Sequence, residues 1–167
     1  QAGREAPTAL LMSPNLPELP PLALYVHFPW CVRKCPYCDF NSYPSSGALP
    51  EDDYISALLA DLEHALPLLG GRRPLSLFLG GGTPSLFAPA TIGRLLEGIH
   101  ARLPWQDGAE ITLEANPGTL AAAHFSALRS AGINRLSLGI QSFSATPLKI
   151  LERIHTPEEA RQAATLA

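Results

Sequence analysis

Residues 25–40 read YVHFPWCVRKCPYCDF, and this stretch contains every cysteine of the chain. Cys31, Cys35 and Cys38 follow a predicted strand and form the pattern Cys-x-x-x-Cys-x-x-Cys. An odd number of thiols at such short spacing does not suit a disulfide framework, and it indicates a metal site in a reducing compartment. The local sequence therefore predicts a strand that ends in a cysteine-rich loop.

Three thiolates are a suitable ligand set for an iron–sulfur cluster. On a cluster of four irons they leave one iron without a protein ligand, free to bind an exchangeable small molecule. The alternative is a zinc ion held by the three cysteines and His27, a ligand set that tetrahedral zinc accepts. Pro29 lies between His27 and the first cysteine and makes the histidine a poorly placed ligand. The pattern favours the cluster and leaves zinc as the alternative.

The composition is that of a globular protein, with 46% hydrophobic and 16% charged residues. The formal net charge is -3 and the basic residues are scattered, so nucleic acid is not an expected partner. No apolar run approaches the roughly 20 residues that a membrane helix needs, and the start lacks an apolar stretch of signal-peptide length. These features predict a cytoplasmic protein without a transmembrane segment.

The chain is predicted to begin with an extended, Pro-rich lead-in over residues 1–21, with Met12 as a possible true start. Beyond it, strand and helix periodicities alternate. Strands are predicted over 22–28, 75–80, 110–115 and 135–142, and helices over 52–66, 89–103 and 120–131. This order predicts an α/β fold with a parallel sheet. An antiparallel sheet with one wet face stays an alternative.

The last predicted helix begins at Thr156, where Pro157 and Glu159 complete a capping box. Four strands are too few to close a barrel. We therefore expect residues 22–167 to be a fragment of an α/β fold whose remaining strands lie outside this sequence.

One face of each predicted strand is polar or small, as where Leu24, Val26 and Phe28 alternate with Tyr25 and His27. If helices cover the apolar face, the other face lines a cavity large enough for a ligand. The carboxyl ends of the strands, where barrel enzymes place their working groups, are then the expected site.

Three features lie at those strand ends. The second strand runs into the glycine turn (residues 80–83, GGGT), where the backbone can approach a ligand closely. Glu114 can accept hydrogen bonds from ribose hydroxyls or pair with an ammonium, and Gln141, predicted to end the fourth strand, offers a donor and an acceptor. The alternative interpretation of the glycine turn is a tight strand-to-helix turn. The alternative for Glu114 is a carboxylate stabilised by a nearby helix N-terminus.

The segments YVHFPWCVRKCPYCDFNS (25–42), FLGGGTPSLF (78–87), ITLEANPGT (111–119) and RLSLGIQSF (135–143) resemble the successive signatures of HemW-type heme chaperones. This is a radical S-adenosylmethionine (SAM) family related to oxygen-independent coproporphyrinogen III dehydrogenase. The resemblance covers residues 22–167. It implies a partial parallel β/α barrel of the radical SAM type, of which residues 22–167 form the N-terminal half. It also implies a 4Fe-4S cluster on Cys31, Cys35 and Cys38, with SAM on the open iron.

The resemblance also implies SAM contacts. Gly81, Gly82 and Thr83 match the turn that contacts the methionine amino group of SAM. Together with Glu114 and Gln141, the predicted SAM site then includes Tyr25, Tyr37 and Arg153, which match further contact positions. Other interpretations stay open for three residues. Tyr25 could be ordinary core, Arg153 a surface residue, and His27 a hydrogen-bonded structural histidine. Aromatic residues that either shield the cluster or pack in the core are Trp30, Phe40 and Phe87.

The family has two branches: an enzyme that decarboxylates coproporphyrinogen III, and a chaperone that binds heme and passes it to respiratory acceptor proteins. The enzyme carries a further cysteine two positions after the third, where this chain has Phe40. That departure favours the chaperone, with heme as cargo, and leaves the dehydrogenase as the alternative. Glu152 stands where a glycine is more usual, and heme contacts are expected beyond Ala167.

Overall fold

The computed structural model describes residues 19–119 and 121–167. Its strands are β1 (Ala23–Phe28), β2 (Trp30–Cys31), β3 (Tyr43–Pro44), β4 (Ser76–Gly81), β5 (Glu110–Ala115) and β6 (Arg135–Leu138). Its α-helices are α1 (Glu51–Ala65), α2 (Pro89–Arg102), α3 (Ala122–Ser130), α4 (Ala145–Ile150) and α5 (Pro157–Leu166). The predicted lead-in up to residue 18, with Met12, and the predicted helix start at Leu120 lie outside the described residues.

Four strands form one parallel sheet in the order β1-β4-β5-β6. The register pairs Val26 with Leu79, and Leu79 with Leu113. Because the strands are all parallel, their carboxyl ends lie at the same edge, and each connection between them passes through at least one helix. The predicted α/β fold with a parallel sheet is confirmed, and the antiparallel alternative is wrong.

The helices cover one face of this sheet. Fully buried side chains on that face include Leu77, Leu79 and Leu113, and α2 packs against them through its apolar stripe. The other face carries the polar alternation, for example Tyr25 and Glu114. Burial of branched aliphatic side chains on one side only therefore leaves the second side of the sheet available to line a cleft.

The fourth strand is shorter than predicted. β6 ends at Leu138, and Gln141 adopts a left-handed backbone with φ 66°. The prediction that Gln141 ends the strand is therefore wrong, although the residue still reaches the strand-end edge. Alternating hydrophobicity continues through Gly139 and Ile140, and that pattern hides the point at which the chain turns.

Helix α5 begins as predicted. The Thr156 hydroxyl accepts a hydrogen bond from the Glu159 N–H at 3.2 Å, and the Glu159 carboxylate accepts from the Thr156 N–H at 2.7 Å. Pro157 occupies the first turn, where a missing N–H costs nothing.

No helix among the described residues is both long and apolar enough to cross a bilayer.

Candidate functional site

A cleft of about 360 Å³ lies at the carboxyl ends of the parallel strands. It gathers nearly all the residues that the sequence singled out: Cys31, Cys35, Cys38, Tyr37, Gly81, Gly82, Thr83, Glu114, Gln141 and Arg153. Tyr25 is the exception among the predicted residues, since it does not line this cleft. Side chains from the cysteine loop, from three strand ends and from the segment after α4 thus meet in one place.

The cysteine loop (residues 31–44) is tied at both ends by backbone pairing. β2 pairs with β3, so Trp30 lies opposite Tyr43 and Cys31 opposite Pro44. The Tyr43 N–H donates to the Pro29 carbonyl at 2.7 Å. The Lys34 ammonium donates to the carbonyls of Phe40 and Ser42, at 3.0 Å and 3.1 Å, and so joins the outgoing and returning arms of the loop.

The three thiols form a donor set that suits an iron–sulfur cluster. All three line the cleft, with Cys31 buried and the other two half-buried. Within residues 19–119 and 121–167, no three His, Cys, Asp or Glu side chains lie close enough to ligate one metal ion. On a cluster each thiolate binds a different iron, so its sulfurs lie farther apart than the ligands of one zinc ion.

His27, the candidate zinc ligand, uses both ring nitrogens in hydrogen bonds. Nε2 lies 2.8 Å from the Asn41 carbonyl oxygen and Nδ1 lies 3.1 Å from the Tyr25 hydroxyl. Burial and the charge of Glu114 raise the pKa of Tyr25, which keeps its hydroxyl protonated and able to donate to Nδ1. The interpretation of His27 as a hydrogen-bonded structural residue is confirmed. Tyr25 itself is 57% exposed and stacks on Phe78 beside the cleft.

The glycine turn packs against the protein's own backbone. The Gly82 N–H donates to the Phe28 carbonyl at 2.6 Å, and the Thr83 N–H donates to the Trp30 carbonyl at 2.7 Å. A Cβ at Gly82 would lie 2.5 Å from the Trp30 carbonyl oxygen, a distance that real Cβ atoms do not tolerate. Gly81 has φ 112°, which favours glycine. The alternative interpretation, a tight turn, is confirmed, and close approach to a ligand stays a prediction.

Glu114 is half-buried on β5 and contacts the glycine turn. Its Oε2 accepts a hydrogen bond from the Gly81 N–H at 2.9 Å. The partner is thus a turn amide of β4, and the expected alternative of a helix N-terminus near Thr119 is wrong. The carboxylate places a negative charge in the wall of the cleft and holds the glycine turn at the same time.

Arg153 lies against the cysteine loop. Nη1 donates to the Cys35 Sγ at 3.1 Å, and Nη2 donates to the Gly139 carbonyl at 2.6 Å. The Tyr37 hydroxyl lies 3.4 Å from Nη1. Burial is the main cause that raises the pKa of Tyr37, with a further contribution from Cys35. Arg153 is therefore a part of the cleft, and the interpretation as a surface arginine is wrong.

The predicted shielding aromatics separate into two groups. Trp30 and Phe87 pack with Phe28 and Tyr54, where ring centroids lie 4.6 Å apart for Trp30–Tyr54 and 4.9 Å for Phe28–Phe87. These rings belong to the hydrophobic core beneath the cysteine loop. Phe40, by contrast, is 56% exposed and lines the cleft.

Two further residues of this region were not predicted as site residues. Asn116 lines the cleft, and its Oδ1 accepts from the Gly118 N–H at 3.3 Å. His155 is buried behind it, with Nδ1 3.1 Å from that Oδ1 and Nε2 3.0 Å from the Ile140 carbonyl oxygen. Burial lowers the pKa of His155. The dipeptide Asn116-Pro117 after a strand is a turn signal that would have drawn attention to the first of them.

Comparison with known proteins adds independent evidence. The family model described as the radical SAM superfamily matches residues 25–167. Heme chaperone HemW of Escherichia coli (strain K12) is 54% identical over 150 residues, which cover 90% of this chain and 40% of that protein. The mitochondrial Radical S-adenosyl methionine domain-containing protein 1 of Bos taurus is 41% identical over 140 residues, covering 84% of this chain and 31% of that protein.

A solved structure is similar as well. The coproporphyrinogen III oxidase HemN from Escherichia coli, described as a radical SAM enzyme, matches with a TM-score of 0.79 at 33% sequence identity. The match covers 88% of this chain and 34% of that chain. The chain thus spans 40% of the length of the Escherichia coli heme chaperone HemW.

Proposed function

Since the chain belongs to the radical SAM superfamily, we propose that Cys31, Cys35 and Cys38 hold a 4Fe-4S cluster and that SAM binds beside it. One observation carries this proposal. The cleft places the three thiols next to the glycine turn, Glu114 and Arg153, at the edge of the sheet where parallel α/β proteins bind ligands.

Each wall of the cleft has a chemical task in SAM binding. The Glu114 carboxylate accepts hydrogen bonds from the ribose or the amino group, and Arg153 pairs with the carboxylate of SAM. The Gln141 amide recognises a further polar group, while the glycine turn and Tyr37 complete the contact surface. Tyr25 orients His27 and reaches SAM only at the margin of the cleft. When bound, the cluster supplies an electron to SAM, and this chain's residues orient both groups.

We further propose that the protein is a cytoplasmic heme chaperone, which binds heme and delivers it to heme-accepting respiratory proteins. The support is the 54% identity to a relative named heme chaperone HemW. The cysteine loop agrees with that branch, because Phe40 stands where the decarboxylating enzyme has its additional cysteine. Since the chain spans 40% of that relative, heme binding and delivery are proposed for the protein as a whole.

A second candidate is an oxygen-independent coproporphyrinogen III dehydrogenase. The observation in its favour is the structural match to HemN with a TM-score of 0.79. The two functions share the cluster and SAM, so the cleft serves either. They differ in whether a porphyrinogen is decarboxylated.

The cluster assignment is tested by changing Cys31, Cys35 or Cys38 to Ala. After anaerobic reconstitution with iron and sulfide, each variant should hold substoichiometric iron, because removing one ligand leaves the cluster with two. The matched control is Ser46→Ala, an exposed residue just beyond the cysteine loop, which should load like the wild type. Full loading of the Cys35→Ala variant would contradict the ligand assignment.

The choice between the two functions is tested by product analysis. The reconstituted protein is incubated with SAM, reductant and coproporphyrinogen III, and the masses of the resulting porphyrins are determined by mass spectrometry. We expect no decarboxylated product, together with heme binding seen in the visible spectrum. Decarboxylation over many turnovers would establish the dehydrogenase and contradict the chaperone.

A further inference from the structure

Two residues near the cleft hold a backbone conformation that side chains disfavour. Gln141 has φ 66° and Glu152 has φ 52°. Left-handed backbone at a residue other than glycine is unfavourable, and it persists only where the surrounding structure holds it in place. The value at Glu152 also explains why a glycine suits that position.

Both strained residues adjoin groups that face the cleft. Gln141 lines the cleft directly, and Glu152 precedes Arg153, whose guanidinium reaches Cys35. Arg153 also donates from Nη2 to the Gly139 carbonyl, so residues 139–141 and residues 152–153 are joined across the cleft wall. The strain is therefore located where the proposed SAM contacts are presented.

His155 is the buried group that holds this region from behind. It is 4% exposed, and its Nε2 lies 3.0 Å from the carbonyl oxygen of Ile140, the residue that precedes the turn at Gln141. Its Nδ1 lies 3.1 Å from Asn116 Oδ1 after β5. One imidazole thus joins the segments that follow β5 and β6, and it stands two residues from Arg153.

The turn after β5 packs closely against His155. A Cβ at Gly118 would lie 3.3 Å from the His155 Cβ, so little space separates the two residues. The imidazole does not line the cleft, whereas Asn116, Gln141 and Arg153 do. Its effect on a bound ligand must therefore pass through those three residues.

We propose that His155 is a positioning residue for SAM binding: through its contacts with the Ile140 carbonyl and Asn116 it fixes the turn that presents Gln141 beside Arg153. This proposal rests on the proposed SAM function of the cleft. His155 itself touches neither SAM nor the cluster. A merely structural histidine would stabilise the fold without any specific effect on SAM affinity.

The test uses the two ring nitrogens separately. A glutamine amide nitrogen occupies nearly the place of Nε2, so His155→Gln keeps the donor to the Ile140 carbonyl. An asparagine amide occupies the place of Nδ1, so His155→Asn keeps only the Asn116 contact. The dissociation constant of SAM is measured by equilibrium binding to the reconstituted protein, together with iron content and backbone hydrogen exchange at residues 139–142.

For His155→Asn we expect SAM affinity to fall about tenfold, the effect of losing one buried hydrogen bond, with iron content unchanged and exchange at 139–142 accelerated. His155→Gln should stay within about threefold of the wild type. The control His64→Asn, on an exposed face of α1, should change neither the SAM affinity nor the hydrogen exchange at residues 139–142. Equal effects of the two His155 variants, or unchanged SAM affinity in both, would overturn the proposal.

The same experiment separates failure of the inference from failure of the proposed function. Wild-type protein that loads a cluster but binds no SAM would contradict the proposed function and, with it, the assignment of a SAM-positioning role. Hydrogen exchange at residues 139–142 in His155→Asn would then still decide whether His155 fixes the turn. Slow, wild-type exchange in that variant would overturn this part as well.

Discussion

At the scale of single residues, the observed contact of Glu114 and its proposed role in SAM binding differ in chemistry. One role needs only an acceptor, since Oε2 takes the hydrogen bond from the Gly81 N–H at 2.9 Å. The other needs the negative charge that the carboxylate carries into the cleft. A substitution that keeps the acceptor and removes the charge therefore separates the two.

Glu114→Gln should weaken SAM binding while the glycine turn stays in place. The amide oxygen still accepts from Gly81, but the charge-assisted contact with SAM is lost, and we expect affinity to fall by about tenfold or more. Glu114→Ala removes both contacts and should weaken binding further. Equilibrium binding of SAM to the reconstituted protein is the measurement. Unchanged affinity in Glu114→Gln would show that the carboxylate serves only the fold.

His124 is expected to make stability depend on pH. Its Nε2 is buried and finds no hydrogen-bond partner among the described residues. Burial lowers the pKa of His124 below its ordinary value of 6.5. The unfolded chain therefore binds a proton more readily than the folded protein, and stability is lost as the pH falls through and below about 6.5.

Urea unfolding at pH 7.5 and pH 5.5 checks this sign. The free energy of unfolding should be lower at pH 5.5, and His124→Phe should reduce the difference because it removes the titrating group. His155, whose pKa burial also lowers, contributes with the same sign and leaves part of the dependence. A variant with an unchanged difference would refute the role of His124.

At the scale of elements, the glycine turn is the joint between β4 and the start of the cysteine loop. Its backbone N–H groups donate to carbonyls on either side of Pro29, in β1 and β2. The bare Cα of Gly82 permits that contact, because a Cβ there would meet the Trp30 carbonyl oxygen at 2.5 Å. The loop that carries the thiols is thus seated directly on a neighbouring strand end.

Gly82→Ala should destabilise the protein and disturb the cysteine loop. The added methyl must displace backbone rather than a flexible side chain, and overpacking of this kind costs about 1–3 kcal/mol. Gly47→Ala is the matched control, since a Cβ there meets nothing within 4 Å. Denaturant unfolding gives the free energy of each. Equal stabilities of the two variants would contradict the close contact at Gly82.

Sequence periodicity predicted the elements well where packing imposes it. The predicted helices and three of the main strands were placed within one or two residues, because their apolar faces are buried against one another, whereas the short helix α4 was not predicted. The periodicity did not predict where β6 ends before Gln141, because extended and left-handed residues can share the same alternation of side-chain types. The ties between Glu114 and Gly81, and between His155 and Ile140, span long sequence separations that no local pattern contains.

At the scale of the whole molecule, the hydrophobic core and the cysteine loop are largely separate. The core consists mainly of residues from the main sheet and the covering helices, and Trp30, which directly precedes the loop, packs against its margin. Cys35 and Cys38 are only half-buried. The energy that keeps the fold together therefore comes mainly from apolar burial away from the thiols.

Removing the iron should consequently leave the protein folded. After anaerobic chelation, the far-UV circular dichroism and a cooperative thermal transition should persist while the visible absorption of the cluster disappears. We expect the melting temperature to decrease without loss of cooperativity. Disappearance of the helical signal on chelation would show that the cluster is part of the core.

The pairing of β2 with β3 bears on how a cluster would be assembled. Because Trp30 pairs with Tyr43 and Cys31 with Pro44, the two ends of the cysteine loop are held together in the folded chain. Loop closure costs entropy that grows as about (3/2)RT ln n for n residues, and folding has already met this cost. If the thiols hold the proposed cluster, the remaining thiols would stay at a high effective concentration, about millimolar for a short tether, once the first thiolate has bound iron. Assembly on this scaffold would therefore benefit from a chelate effect, and a cluster damaged by oxidation would be rebuilt without refolding the protein.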